Sequence, residues 1–347
     1  MSELQSFQPP KILVIDFGQL GDVVLSLPAL REIRHRFQRS HVTVAVGRSA
    51  ADIVQLSGHA DAVLAVDRVG LRDGPKLLSI VRLLKLLKQV RREKFDFVID
   101  LHSLSETNLL GFLSGAPKRL FSRRPPRSLD FLANFEPRPP VQENHRDRHL
   151  VDRYLDVLLP LGIETSEREP RINTTSQDAA SIDKILHKAN ADIGSPLVGL
   201  FPGAGNPTRC WPLAKFAQLA DYLMRNDGVR VLLFIGPEEV SMQKSLKEMF
   251  PPATIFLDRL SISQLAAAQA RLAVFVSNDT GPMHVAAAVG TPVVVLLHSS
   301  APATYLPLGN QHRFISSPVI DKISVEQAYE AARSALASAR TDALFHR

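Results

Sequence analysis

One cysteine, one tryptophan and an aromatic share of 6% are what this 347-residue sequence has least of. A lone thiol, Cys210, excludes an intrachain disulfide framework and fits a reducing compartment. Beside Trp211 it reads as a small apolar filler rather than a reactive nucleophile. The chain has no uninterrupted apolar run of the roughly 20 residues that a membrane-spanning helix needs. MSELQSFQPP has no basic stretch leading into an apolar one, so no secretory signal is expected and the protein is read as cytoplasmic. Net charge is +6, but aromatic interleaving and finger, RRM or KH signatures are missing, so nucleic acid is not the expected partner.

What is present is a soluble, globular composition, 45% apolar with 22% charged residues, in a chain long enough for two cores. KILVIDF, HVTVAVG, DAVLAVD and FDFVIDL are short, nearly continuous apolar runs, as parallel strands covered on both faces should be. Helical patterns lie between them, around 22–37, 50–56 and 77–92. A second series runs through PLVGLFPGAG, VRVLLFIG, ATIFLD, LAVFVSND and PVVVLLH, with helices near 213–225, 240–249, 263–270 and 283–289. Each series is a βαβ array. The expected fold is therefore α/β, two Rossmann-like doubly wound domains facing across a cleft. The expected bounds are 1–165, a linker at 166–195, and 196–347, with the last helix packing back on the first domain.

Basic residues are concentrated. KLLSIVRLLKLLKQVRREK, from Lys76 to Lys94, carries seven cations against one acid, with Leu77, Leu78, Ile80, Leu83, Leu84, Leu86 and Leu87 as its apolar side. Two readings stand open: a surface helix with a solvated basic face, or contact with an anionic membrane surface or acceptor. KRLFSRRPPRS, from Lys118 to Ser128, reads as a basic loop.

Three strand-to-helix turns carry the chemistry. DFGQLGD, with Gly18 and Gly21, is neither GxGxxG nor a Walker loop, and its DFG stands without any other kinase motif. Asp22 there is either a helix cap interacting with the macrodipole or a general base at a strand's carboxyl end. FPGAGNPTRCWP places small residues, the Thr208 hydroxyl and the Arg209 charge where an anion could be met by amides. SNDTGPMHVAAAVGTP sets Asp279, Thr280 and Gly281 before a small-sided helix whose N-terminus suits diphosphate. His284 beside Asp279 is either structural or ligand-binding, and two ligands without a third do not make a metal site.

Together, ILVIDFGQLGDVVLSLPALREIR, VGLFPGAGNPTRCWPLAKFAQLADYL and FVSNDTGPMHVAAAVGTPVVVLL resemble the three signature regions of glycosyltransferase family 9, the ADP-heptose:lipopolysaccharide heptosyltransferases. The resemblance implies a GT-B fold and an inverting, metal-independent displacement, with Asp22 as catalytic base and no cofactor besides the donor. It implies that Asp279, Thr280, Gly281 and His284 bind diphosphate and sugar. Arg209 stands where heptosyltransferases usually place lysine, and Ala204 and Gly205 stand where some members use hydroxyls. By the same resemblance Glu239, or Glu238 next to it, holds the ribose, and Leu260 and Ser261 lie beside the base. The implied partners are ADP-heptose and a phosphorylated, lipid-linked core oligosaccharide at the inner face of the cytoplasmic membrane. Two alternatives were another nucleotide sugar or acceptor on the same fold, and a non-catalytic nucleotide-sugar-binding scaffold in envelope polysaccharide assembly.

Overall fold

Apolar runs without polar alternation must be covered on both sides, and each such run becomes a buried parallel strand. The computed structural model describes residues 7–72, 75–125, 127–142, 147–191, 194–236 and 243–345. The chain divides into two compact units, the first ending at Ile172 and including Ala303–Tyr305, the second starting at Asn173.

The first unit contains β1 (Lys11–Asp16), α1 (Leu20–Arg36), β2 (His41–Gly47), α2 (Ala51–Ser57), β3 (Ala62–Val66) and α3 (Arg68–Arg72). It continues through α4 (Lys76–Glu93), β4 (Phe97–Asp100), α5 (Ser105–Leu113), β5 (Lys118–Phe121) and α6 (Leu150–Asp156). Its strands form a five-stranded sheet in the order β3-β2-β1-β4-β5. All its strand pairs are parallel, with Ile15 opposite Asp100 and Asp16 opposite Val46. Leu13, Ile15, Val98 and Phe121 share one core on this sheet. The basic stretch from Lys118, expected as a loop, begins with the edge strand β5. Leu120 and Phe121 are fully buried there, and burying them fixes the backbone against β4.

The second unit contains α7 (Ser176–Lys188), β6 (Leu197–Phe201), α8 (Leu213–Asp227), β7 (Arg230–Ile235), α9 (Gln243–Met249) and β8 (Ile255–Asp258). After these come α10 (Ile262–Gln269), β9 (Val274–Asn278), α11 (Gly281–Ala288), β10 (Val293–His298), β11 (Arg313–Ser317) and α12 (Val325–Phe345). The six-stranded sheet runs β11-β10-β9-β6-β7-β8, with every pair parallel. Strand alternation divides β7 between two cores. Val231, Leu233 and Ile235 face Trp211, Phe216 and Ala328, whereas Leu232 and Phe234 face Ile182, Leu186 and Met283.

Two expectations are placed differently by the structure. The stretch read as a linker holds α7, capped by Thr175 and anchored by Ile182 and Leu186, one helical turn apart on its buried side. The last helix, expected against the first domain, buries Ala328, Ala332, Ala335 and Leu336 in the second unit's own core.

Candidate active site

A doubly wound sheet leaves a crevice where its strand order reverses, beyond the carboxyl ends of the central strands. In the first unit that point lies between β1 and β4. Asp16 ends β1, and its Oδ1 accepts from the Gly18 amide at 2.9 Å. Gln19 and Asp22 then form a capping box that starts α1, the Gln19 amide donating to Asp22 Oδ2 at 3.0 Å. A Cβ on Gly18 would stand 2.5 Å from the Asp22 Cβ and 3.0 Å from Asp16 Oδ1, so only glycine fits between the two acids.

β4 delivers the other half. Asp100 accepts from the Ser103 amide at 2.7 Å and from Asn108 Nδ2 at 2.8 Å. His102 Nδ1 lies 3.6 Å from Asp16 Oδ1. Burial among Arg124, Arg68 and Arg153 pushes the His102 pKa down to about 3, so the ring is neutral and the contact is not an ion pair. Burial lifts Asp16 to about 6, the Ser26 hydroxyl and Gly18 amide drawing it back, and lifts Asp100 to about 7. Asp22 is also raised by burial, while its amide bond and the charges of Arg124, Arg153 and Arg68 pull it down. Each arginine is held: Arg68 donates to the Gly18 carbonyl at 3.4 Å, Arg124 to the His102 carbonyl at 2.6 Å, and Arg153 to Gln142 Oε1 at 3.2 Å. The result is a half-buried carboxylate under the electrostatic influence of three anchored guanidiniums.

In the second unit the reversal lies between β6 and β9. Buried Asn278 ties the two loops there, donating to the Pro202 carbonyl at 2.6 Å and accepting from the Trp211 amide at 2.9 Å. Asp279 follows, and Arg209 Nη1 stands 3.4 Å from its Oδ2. Burial raises the Asp279 pKa and Arg209 opposes it. Thr280 caps α11 with extended backbone and no side-chain cap bond, which leaves the hydroxyl outside the helix ladder. Gly281 opens that helix, and His284 is buried in its first turn.

The remaining candidates take varied places. Thr208 turns its hydroxyl to Asn206 Oδ1 at 2.9 Å, and Ala204 is buried. Nothing lies within 4 Å of a Cβ built on Gly205, so open space adjoins that backbone. Ser261 is the N-cap of α10, its hydroxyl accepting from the Gln264 amide at 3.1 Å, and Leu260 packs beside the core. Glu238 and Glu239 fall outside the described residues. Among the described residues no three His, Cys, Asp or Glu side chains are grouped to hold a metal ion.

This geometry meets a family pattern. The family model described as glycosyltransferase family 9 (heptosyltransferase) matches residues 83–331. The chain belongs to glycosyltransferase family 9. Its membership makes it a glycosyltransferase of the heptosyltransferase type, with a GT-B fold. It is 23% identical over 296 residues to lipopolysaccharide heptosyltransferase 3 of Escherichia coli, covering 84% of each chain. A family 9 glycosyl transferase from Veillonella parvula superposes with a TM-score of 0.83 at 25% identity, covering 95% and 97% of the two chains. E. coli heptosyltransferase WaaC, solved with ADP-2-deoxy-2-fluoro heptose, superposes with a TM-score of 0.74 at 19% identity, covering 93% and 99%. The family 9 match takes in the second unit's two turns, while the turn bearing Asp22 precedes it.

Reading the sequence missed Asp16, Asp100, His102, Asn278 and the three arginines. Asp16 and Asp100 had a visible signal, since each ends an apolar strand with an acid. Arg68, Arg124 and Arg153 had none, because they lie far apart in the chain and only the fold brings their charges near Asp22.

Proposed function

We propose that this family 9 chain is an inverting, metal-independent glycosyltransferase that moves heptose from ADP-heptose to a lipopolysaccharide inner-core acceptor, with Asp22 as general base. The observation that carries the base assignment is the setting of Asp22. One oxygen is committed to the helix cap, burial raises its pKa, and the amide bond and three guanidiniums draw it back down. Asp22 Oδ1 takes the proton from an acceptor hydroxyl as that oxygen attacks the anomeric carbon. The C–O bond to the diphosphate breaks in the same displacement, and configuration inverts. The arginines also fit an acceptor bearing phosphate.

The donor is held by the second unit. Arg209 offers its fork to diphosphate, the α11 N-terminus and Gly281 supply amides, and Thr280 supplies a hydroxyl. The ribose falls to Glu239 or Glu238, with Leu260 and Ser261 beside the base. The lipopolysaccharide name of the E. coli relative and the ADP-heptose analogue in WaaC support acceptor and donor. The proposed site of action is the inner face of the cytoplasmic membrane. Arg209 in place of lysine favours one second reading, a different nucleotide sugar on the same machinery.

The deciding experiment is turnover of Asp22→Asn with ADP-heptose and a truncated lipid A-core acceptor, products read by mass spectrometry. Turnover should fall about 10²–10⁴-fold with ADP affinity unchanged. Wild-type turnover in the variant would reject the base role. Selective transfer from a UDP- or GDP-sugar would replace the donor and leave the mechanism standing.

A further inference from the structure

The basic helix α4 does not pack as its sequence pattern implies. Leu86 and Leu87 are partly buried and Val90 wholly so, which anchors the second half to the first unit. The first half turns its apolar residues outward: Leu77 is 78% exposed, Ile80 54% and Leu84 59%, with Val81 and Leu83 exposed beside them. Leu77, Ile80, Val81 and Leu84 follow the i, i+3, i+4, i+7 spacing of a single helical stripe. Continued along the helix, that outward stripe meets Lys85, Lys88, Arg91 and Arg92, all exposed. Arg82 and Ser79 donate to the Gly70 carbonyl at 3.0 and 3.1 Å, which fixes α4 to α3 and holds the patch in place.

We propose that this face docks on an anionic lipid bilayer. Each half of the stripe is about 10 Å long at ~1.5 Å per residue. The leucine half enters the headgroup boundary, and the cationic half lies along lipid phosphates. Charge complementarity selects this occupant, since Glu93 is the only acid among the seven cations of 76–94. No described helix is long and apolar enough to cross a membrane, so attachment is interfacial. The inference stands apart from the donor and acceptor assigned above.

The test is co-sedimentation of the full chain with vesicles of phosphatidylcholine alone or mixed with phosphatidylglycerol, containing no glycolipid. Binding should be about tenfold or more tighter to the anionic vesicles and weaken with added salt. A combined Leu77→Ser, Ile80→Ser and Leu84→Ser variant, folded by circular dichroism, should lose it by about tenfold or more. Lys85→Glu with Lys88→Glu should lose the preference for anionic lipid. Equal binding to both vesicle types, or variants that bind like the wild type, would overturn the proposal. So would a wild-type dimer that the leucine variant dissociates, which would assign the face to a second copy of the chain.

Discussion

Asp22 shows at the level of one residue how two explanations coexist. Its carboxylate caps α1 through Oδ2, and the proposed base role falls to the other oxygen. Asp22→Asn keeps a cap acceptor, so it should lose turnover at near wild-type stability. Asp22→Ala should lose about 1 kcal/mol of stability as well, measured by urea unfolding. Under the proposed base role, the raised pKa of Asp22 should set the acid limb of a pH–rate profile, activity falling as pH drops through a value above the ordinary carboxylate range. Asp16 acts with the opposite sign on stability. Its folded pKa of about 6 lies above the ordinary 3.8, so the folded state binds the extra proton between those values. Its contribution to stability is therefore fullest below about pH 4 and is lost as pH rises to about 6. Asp16→Asn should raise stability at pH 8 by on the order of 3 kcal/mol, a gain that vanishes below about pH 4 in thermal scans.

At the scale of elements, both candidate sites lie where a central strand gives way to a helix, and short tethers set them. Asn278 is the tether in the second unit, joining the β6 loop, the α8 approach and the Asp279 turn through two hydrogen bonds. Asn278→Ala should cost about 2–4 kcal/mol, because the buried Trp211 amide loses its partner. The same variant should weaken ADP binding by calorimetry, since Arg209 and Asp279 stand on the two loops that Asn278 joins. Direct loss of the guanidinium in Arg209→Ala should weaken ADP about 10–100-fold without changing the melting temperature appreciably.

For the whole molecule, the chain forms two units with separate sheets and cores, and the proposed function divides the labour between them. If the second unit holds the donor, ADP should slow hydrogen exchange at 202–209 and 279–284 and leave 16–22 as in the free protein. Equal protection of both stretches would mean that the nucleotide contacts the first unit directly.

The sequence by itself determined the βαβ arrays, the strands and the three chemical turns. Strands such as KILVID and RVLLFI are buried on both faces and so carry their identity in local composition. It also marked Asp22, Arg209 and Asp279, which lie at strand ends in short turns. It left α7 hidden, since Ile182 and Leu186 gain meaning only against Phe234 and Phe275 across the core. It left β5 hidden too, because four residues beside a run of arginines signal a strand only once β4 is there to pair with. Tertiary structure alone decided that the charges of Arg68, Arg124 and Arg153 act on one carboxylate, and that the first half of α4 turns its leucines outward. Electrostatic convergence and exposure depend on which distant segments meet, and no local pattern in the chain encodes that meeting.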